Sequence, residues 1–192
     1  MSQAIGSEVQ ALTAGAASLE LVQGDITQSA TDAIANAANG MLMAGGGVDG
    51  AIHRAAGPEL QRALHRVKVG LPGGVLPTGQ AVLTPGFGLK ARHVIHCVGP
   101  IFAQEGARAA ELLASCYRQA LKICQAEKIA SIAFPSISTG VYGYPVQDAA
   151  LVALRTLREH LPAAPVVRVC RFVLYDDATL RAYQRAAERV WV

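Results

Sequence analysis

Positive charge is missing from the first quarter of this chain. No Lys or Arg precedes Arg54, while residues 1–53 carry five acids; all seventeen basic residues and the other nine acids follow. With neither a basic N-terminus nor an early apolar block, no secretory signal or Arg-rich transit peptide is expected, and the expected location is cytoplasmic. Charged residues are only 16% of the 192, against roughly 25% in an average soluble protein. Even so, no uninterrupted apolar run approaches the ~18 residues of a membrane span, so no membrane partner is expected. Aromatic residues are scarce at 5%, too few for a base-stacking platform, and the basic residues are scattered along helical patterns. A nucleic-acid partner is therefore not expected either. Cys97, Cys116, Cys124 and Cys170 show neither CxxC nor Cys-His spacing. That argues against a zinc site and a disulfide framework, leaving buried free thiols.

What the chain does have is two polar, glycine-bearing loops. The first lies in Asn36–Gly57, NAANGMLMAGGGVDGAIHRAAG. Gly45, Gly46 and Gly47 permit positive φ and close approach of backbone to a ligand. The helical pattern they feed offers unpaired N–H groups and a positive dipole end to an anion. The second, Pro135–Pro145, reads PSISTGVYGYP and joins a strand-like run to a helix-like run. Two such loops are suited to clamp one diphosphate. Gly45-x-Gly47-x-x-Gly50 matches the dinucleotide fingerprint by letter only, because residues 37–44 separate the glycines from the strand and Gly70 stands where an acid is needed. No GxxxxGK[ST] occurs.

Short strand-like runs at Leu19–Val22, Ala33–Asn36, Gln80–Thr84, His93–Val98, Ile129–Phe134 and Val167–Leu174 alternate with helical patterns. The helices are expected at Gly50–Ala56, Pro58–Val69, Ala107–Glu127, Val146–His160 and Asp177–Val190. This order predicts a single α/β layered domain over residues 18–192, with helices on both sheet faces. Residues 1–17 read as a loose N-terminal extension, part of which could add an edge strand.

Several side chains carry two readings each. Asp49 is a catalytic or substrate-orienting carboxylate, or the N-cap of the following helix. Asn36 and Asn39 hydrogen-bond ribose hydroxyls, or simply tolerate turn geometry. Asp25 accepts from an adenine amino group, or caps a turn. His53, four residues after Asp49, shares its helix face for acid–base work, or is structural. His96, inside an apolar strand, reads as a satisfied core residue. No Ser-His-Asp arrangement emerges.

Together, Gly24–Thr27, Asp32–Asn39, Gly45–Gly57, Thr78–Ala81, Val94–Pro100 and Phe134–Pro145 resemble the macro domain family, from about Leu19 onward. The likeness is to its MacroD-type subgroup, and within it to bacterial O-acetyl-ADP-ribose deacetylases. The resemblance implies a three-layer α/β/α fold around a mixed sheet of about six strands, with ADP-ribose in a cleft at the strand ends. It implies that Asp25 binds the adenine amino group, the Ile26 backbone helps read the ring and Tyr175 stacks on it. Backbone groups of Gly46, Gly47 and Val48, and of Ser138, Thr139, Gly140 and Val141, would hold the diphosphate. Asn39 and Asp49 would face the distal ribose, flanked by Tyr142. Hydrolytic members remove an acyl group, or a modified Asp or Glu side chain, from that ribose with water as nucleophile. In that scheme Asp49 positions the ribose or helps activate the water, the bound phosphate contributes, and neither metal nor cofactor is required. The expected partners are ADP-ribose, its O-acyl esters and ADP-ribosylated proteins, met by a monomer. The competing function is a reader module that binds ADP-ribose without cleaving it; the joint presence of Asn39 and Asp49 favours the enzyme. Ala44 departs from the pattern, standing where many relatives carry a fourth glycine.

Overall fold

The computed structural model describes residues 10–191. Seven strands form one mixed sheet in the order β1-β2-β7-β6-β3-β5-β4. They are β1 (Gln10–Ala14), β2 (Ala17–Gln23), β3 (Ala33–Ala38), β4 (Ala81–Pro85), β5 (His93–Val98), β6 (Ser131–Phe134) and β7 (Val169–Leu174). The five inner strands are parallel, and the edge strands β1 and β4 pair antiparallel with β2 and β5. The helices are α1 (Gly47–Ala56), α2 (Pro58–Val69), the short α3 (Phe102–Glu105), α4 (Ala109–Glu127), α5 (Val146–His160) and α6 (Asp177–Val190).

Side chains alternate between the two faces of a strand, and that alternation sorts the core. Ala33, Ala35, Ile95 and Cys97 join the larger cluster under α4, α5 and α6. Ile34, Ala38, Val94 and Val98 face the other way, against Ile52 and Ala56 of α1 and Leu60 and Leu64 of α2. The result is the expected three-layer α/β/α architecture. Tyr117, Phe134, Phe172 and Tyr183 anchor the larger cluster, with successive ring centroids 5.2, 5.8 and 4.7 Å apart. Each such buried side chain contributes roughly 1.5–3 kcal/mol relative to exposure, which is why so few aromatics suffice. All four cysteines are free and buried, and burial pushes the Cys116 and Cys124 thiols up to about 12.

Most elements begin or end within one or two residues of the sequence expectation, the short α3 is additional, and two differences are larger. The sheet has seven strands because Gln10–Ala14 turns at Gly15 and pairs with β2, inside the segment read as an extension; residues 1–9 of that segment lie outside the described residues. Helix α1 starts at Gly47, three residues before the expected Gly50, with Gly46 as its N-cap. No helix among the described residues is long and apolar enough to cross a membrane.

Candidate functional site

The two glycine-bearing loops and the segments that carry Asp25 and Tyr175 all leave the C-terminal ends of parallel strands, where open α/β sheets bind ligands. Across the sheet, Asp25 follows β2, Tyr175 follows β7, Pro135–Pro145 follows β6, and Asn39–Gly46 follows β3. Three interstrand steps separate β2 from β3, about 14 Å at ~4.8 Å each. That edge is long enough for an extended dinucleotide-sized ligand.

At the β2 end, Gly24 N–H donates to Leu174 O at 2.9 Å, which seats Asp25 beside Tyr175. Asp25 Oδ1 accepts from Thr27 N–H at 2.9 Å and from its hydroxyl at 2.7 Å, capping a 3-10 turn over Ile26–Gln28. The cap reading therefore holds, and it occupies only one carboxylate oxygen. Ile26 is buried as the anchor of this turn, while Tyr175 is 85% exposed and available for a planar partner.

The loop after β3 is pinned from four sides. Leu42 is buried in the α1–α2 layer at φ +52. Asn39 brackets Met43, donating to its carbonyl at 2.7 Å and accepting its N–H at 3.3 Å. From α2, Gln61 donates to Leu42 O and accepts Ala44 N–H, both at 3.0 Å. Finally, Asp49 Oδ2 accepts Gly45 N–H at 2.5 Å. Of the three consecutive glycines only Gly47 has positive φ, at +56. Gly50 is needed for close approach, since a Cβ there would lie 2.6 Å from Gly45 O. A Cβ on Gly46 or Gly47 would meet nothing within 4 Å, so both lie at open surface. Asp49 is the third residue of α1, so its N-cap reading is overturned: Gly46 holds that position.

The loop after β6 turns on Ser138, a buried non-glycine residue at φ +67. Its hydroxyl sits so close to Gly99 that a Cβ on that glycine would fall 2.2 Å from it. Strained positions of this kind persist where the surroundings over-determine them. Thr139 donates to the Ser136 hydroxyl at 2.9 Å, and Tyr183 of α6 reaches the same oxygen at 3.1 Å. Gly140 and Val141 form the exposed tip, with Val141 wholly exposed. Tyr142 holds Phe102 through a backbone bond at 2.9 Å. Its phenol is pushed above the ordinary range first by burial and then by the charge of the Asp49 carboxylate.

A family profile described as Macro domain matches residues 35–153. The chain is 50% identical to the O-acetyl-ADP-ribose deacetylase of Salmonella gallinarum over 167 residues, 87% of this chain and 92% of that protein. The Oceanobacillus iheyensis macrodomain, solved with ADP, superposes with a TM-score of 0.92 at 46% identity, covering 95% of this chain and 96% of the other. A Trypanosoma brucei macrodomain in complex with ADP-ribose gives a TM-score of 0.77 at 37% identity, covering 88% and 68%. This chain belongs to the macro domain family. Beneath the cleft of this macro domain, Asn36 is wholly buried and its Nδ2 donates to Asp49 Oδ1 at 2.6 Å. The expectation that Asn36 meets a ribose hydroxyl is corrected: strand alternation turns it under the cleft floor, onto Asp49. His53 Nε2 lies 3.5 Å from the same carboxylate oxygen, so the shared helix face is realised.

His96 is the satisfied core residue expected, with Nδ1 3.1 Å from Asn36 Nδ2 and Nε2 2.9 Å from the Thr84 hydroxyl. Burial, then the nearby His53 charge, lowers it from 6.5 to about 3. An unfolded chain takes up this proton near pH 6.5, whereas the fold resists it until about 3. Between those values the unfolded state binds more protons, so His96 makes stability fall as pH falls. Denaturant midpoints measured from pH 7 to pH 4 should drop less in His96→Gln than in wild type. Gln61 and Thr84 are not marked by any sequence motif; only the alternation that aligns Asn36 with His96 was there to be read.

Proposed function

We propose that this macro domain binds ADP-ribose along the strand-end edge and hydrolyses an ester at its distal ribose. Adenine lies between Asp25, the Ile26 backbone and the Tyr175 ring. The diphosphate meets backbone N–H groups of Gly46, Gly47 and Val48 on one side, and of Ser138, Thr139, Gly140 and Val141 on the other. Helix N-termini and such backbone concavities bind anions without a cationic side chain. The distal ribose then reaches Asn39, Asp49 and Tyr142. The substrates are O-acetyl-ADP-ribose and proteins carrying mono-ADP-ribose on Asp or Glu, which present the same ester to the same cleft. Water attacks the acyl carbon, and the ribose hydroxyl leaves. Asp49 orients the ribose or accepts a proton from the water, a role typically worth 10²–10⁴-fold.

The observation that carries this reading is the Asp49 carboxylate, buried and held on both oxygens beside Tyr142. A reader needs no such group. Initial rates on O-acetyl-ADP-ribose and on glutamate-linked ADP-ribosylated protein test the proposal and rank the two substrates. Tight binding with no turnover on either would assign the reader function instead.

Ligand binding has its own check. ADP-ribose at a hundredfold above its Kd stabilises the fold by about 2.7 kcal/mol. For a domain of this size the melting midpoint should rise by about 5–11 °C. AMP, lacking the second phosphate and distal ribose, should give a smaller shift. No shift at saturating ADP-ribose would overturn the ligand assignment.

A further inference from the structure

We propose that Thr84, His96 and Asn36 form a buried positioning chain that fixes the orientation of the Asp49 carboxylate from beneath the cleft. The proposal rests on the reading of Asp49 as the group that orients ribose or water.

Three different strands supply the chain. Asn36 of β3 and His96 of β5 are register partners, and Thr84 of β4 lies two residues from Val82, the partner of His96. All three face the α1–α2 layer, where the neighbouring sheet residues include Ile34, Ala38, Val94 and Val98. A polar row in an apolar layer is costly unless its hydrogens are matched. Here the matching leaves one pattern. A carboxylate only accepts, so Asn36 must turn Nδ2, not its oxygen, toward Asp49 Oδ1 at 2.6 Å. The second Nδ2 hydrogen then points to His96 Nδ1 at 3.1 Å, so that nitrogen must accept. A neutral imidazole that accepts at Nδ1 carries its proton on Nε2, which donates to the Thr84 hydroxyl at 2.9 Å. An imidazolium would set one N–H against another.

The amide oxygen of Asn36 is what separates positioning from ordinary core stability. It is fully buried and has no hydrogen-bond partner among the described residues. A side chain kept for stability would satisfy both ends of its amide; this one is spent on its donors. With Oδ1 fixed by Asn36 and Oδ2 by Gly45 N–H, the carboxylate cannot rotate, and its remaining lone pairs are aimed. The ionisable groups that face His96 come from α1, namely His53 and, through Asn36, Asp49; its β-strand neighbours contribute only Asn36 and Thr84. The burial that keeps His96 neutral keeps the pattern intact at physiological pH.

Thr84 is the link farthest from Asp49, which makes it the best probe. Thr84→Val keeps the shape and removes the acceptor, whereas Thr84→Ser keeps it. Thr84→Val should lower kcat by about 10- to 100-fold, as small misplacements of a working group do, with ADP-ribose Kd and KM within about twofold. Thr84→Ser should restore most of kcat. In an Asp49→Ala background, Thr84→Val should leave the residual rate unchanged, because there is no carboxylate left to place. An unchanged kcat in Thr84→Val, or an equal loss in the Asp49→Ala background, overturns the chain. Nitrogen-15 NMR of wild-type His96 gives a readout independent of turnover: a neutral ring protonated on Nε2 is expected. A ring protonated on Nδ1, or on both nitrogens, at neutral pH overturns the chain whatever the activity. A wild type that hydrolyses neither ester overturns the functional reading, and the tautomer then judges the chain by itself.

Discussion

Replacing Asp49 by alanine should lower ester hydrolysis by about 10²-fold or more while leaving ADP-ribose affinity near that of wild type. The expectation follows from where its two oxygens go. Neither serves a helix cap, since Gly46 caps α1 and Asp49 is its third residue. One oxygen takes the buried Asn36 amide and the other takes Gly45 N–H. Removing the carboxylate leaves the Asn36 donor unpaired inside the protein, which costs about 1–3 kcal/mol of stability. In the proposed binding mode the diphosphate is met by backbone groups, which persist in the variant. Steady-state rates, calorimetric titration and denaturant midpoints on one purified variant separate the three quantities. Full turnover with lowered stability would reduce Asp49 to a structural brace. Asn39→Ala should behave differently, because the Asn39 amide staples Met43 through two bonds and so shapes the loop itself. Its loss should weaken binding as well as turnover.

The contrast between Asn36 and Asn39 shows where sequence reading stops. In the string NAAN they look equivalent, and each carries the same two readings, a ribose ligand or a residue that tolerates a turn. Strand β3 runs through Ala38, so Asn36 is inside it and Asn39 just beyond. Period-two alternation then sends Asn36 under the floor. The helices were legible where their ends carry chemistry, as with Pro58 at the start of α2 and Pro145 before α5. Helix α1 was read three residues short because Gly47 looks like loop, though glycine is what lets the backbone enter the helix at positive φ. Strand β1, QALTA, lacks the Val and Ile that mark the inner strands and forms by pairing with β2. The Gln61 clamp and the Thr84–His96 bond join residues twelve or more apart, and no local periodicity encodes such partners. Ala44 illustrates the converse. It needs no positive φ, and its N–H is taken by Gln61, so the departure from a fourth glycine costs the loop nothing visible.

Affinity for ADP-ribose should fall by no more than about two- to threefold between low and moderate salt, because fixed backbone dipoles at contact range are screened far less than charges beyond a Debye length of about 8–10 Å. Residues 36–50 and 135–145 contain no Lys or Arg, so in the proposed binding mode N–H groups meet the diphosphate. The same reasoning ranks the substitutions. Gly47 combines φ +56 with open space above it, so Gly47→Val both strains the backbone and places methyl groups where the phosphate would approach. Binding should weaken by at least about tenfold. Gly140→Val tests the opposite wall, where the space is equally open but φ is not positive; it should cost affinity with little loss of stability. Arg54 is the informative control, because its Nη1 reaches within 3.2 Å of the position a Cβ on Gly50 would take, beside the first loop. Arg54→Ala should nonetheless weaken binding less than either glycine change. Calorimetric titrations across a salt series on these three variants decide the matter: a steep salt slope, or Arg54 emerging as the costliest loss, would mean that a side-chain cation and not the backbone holds the diphosphate.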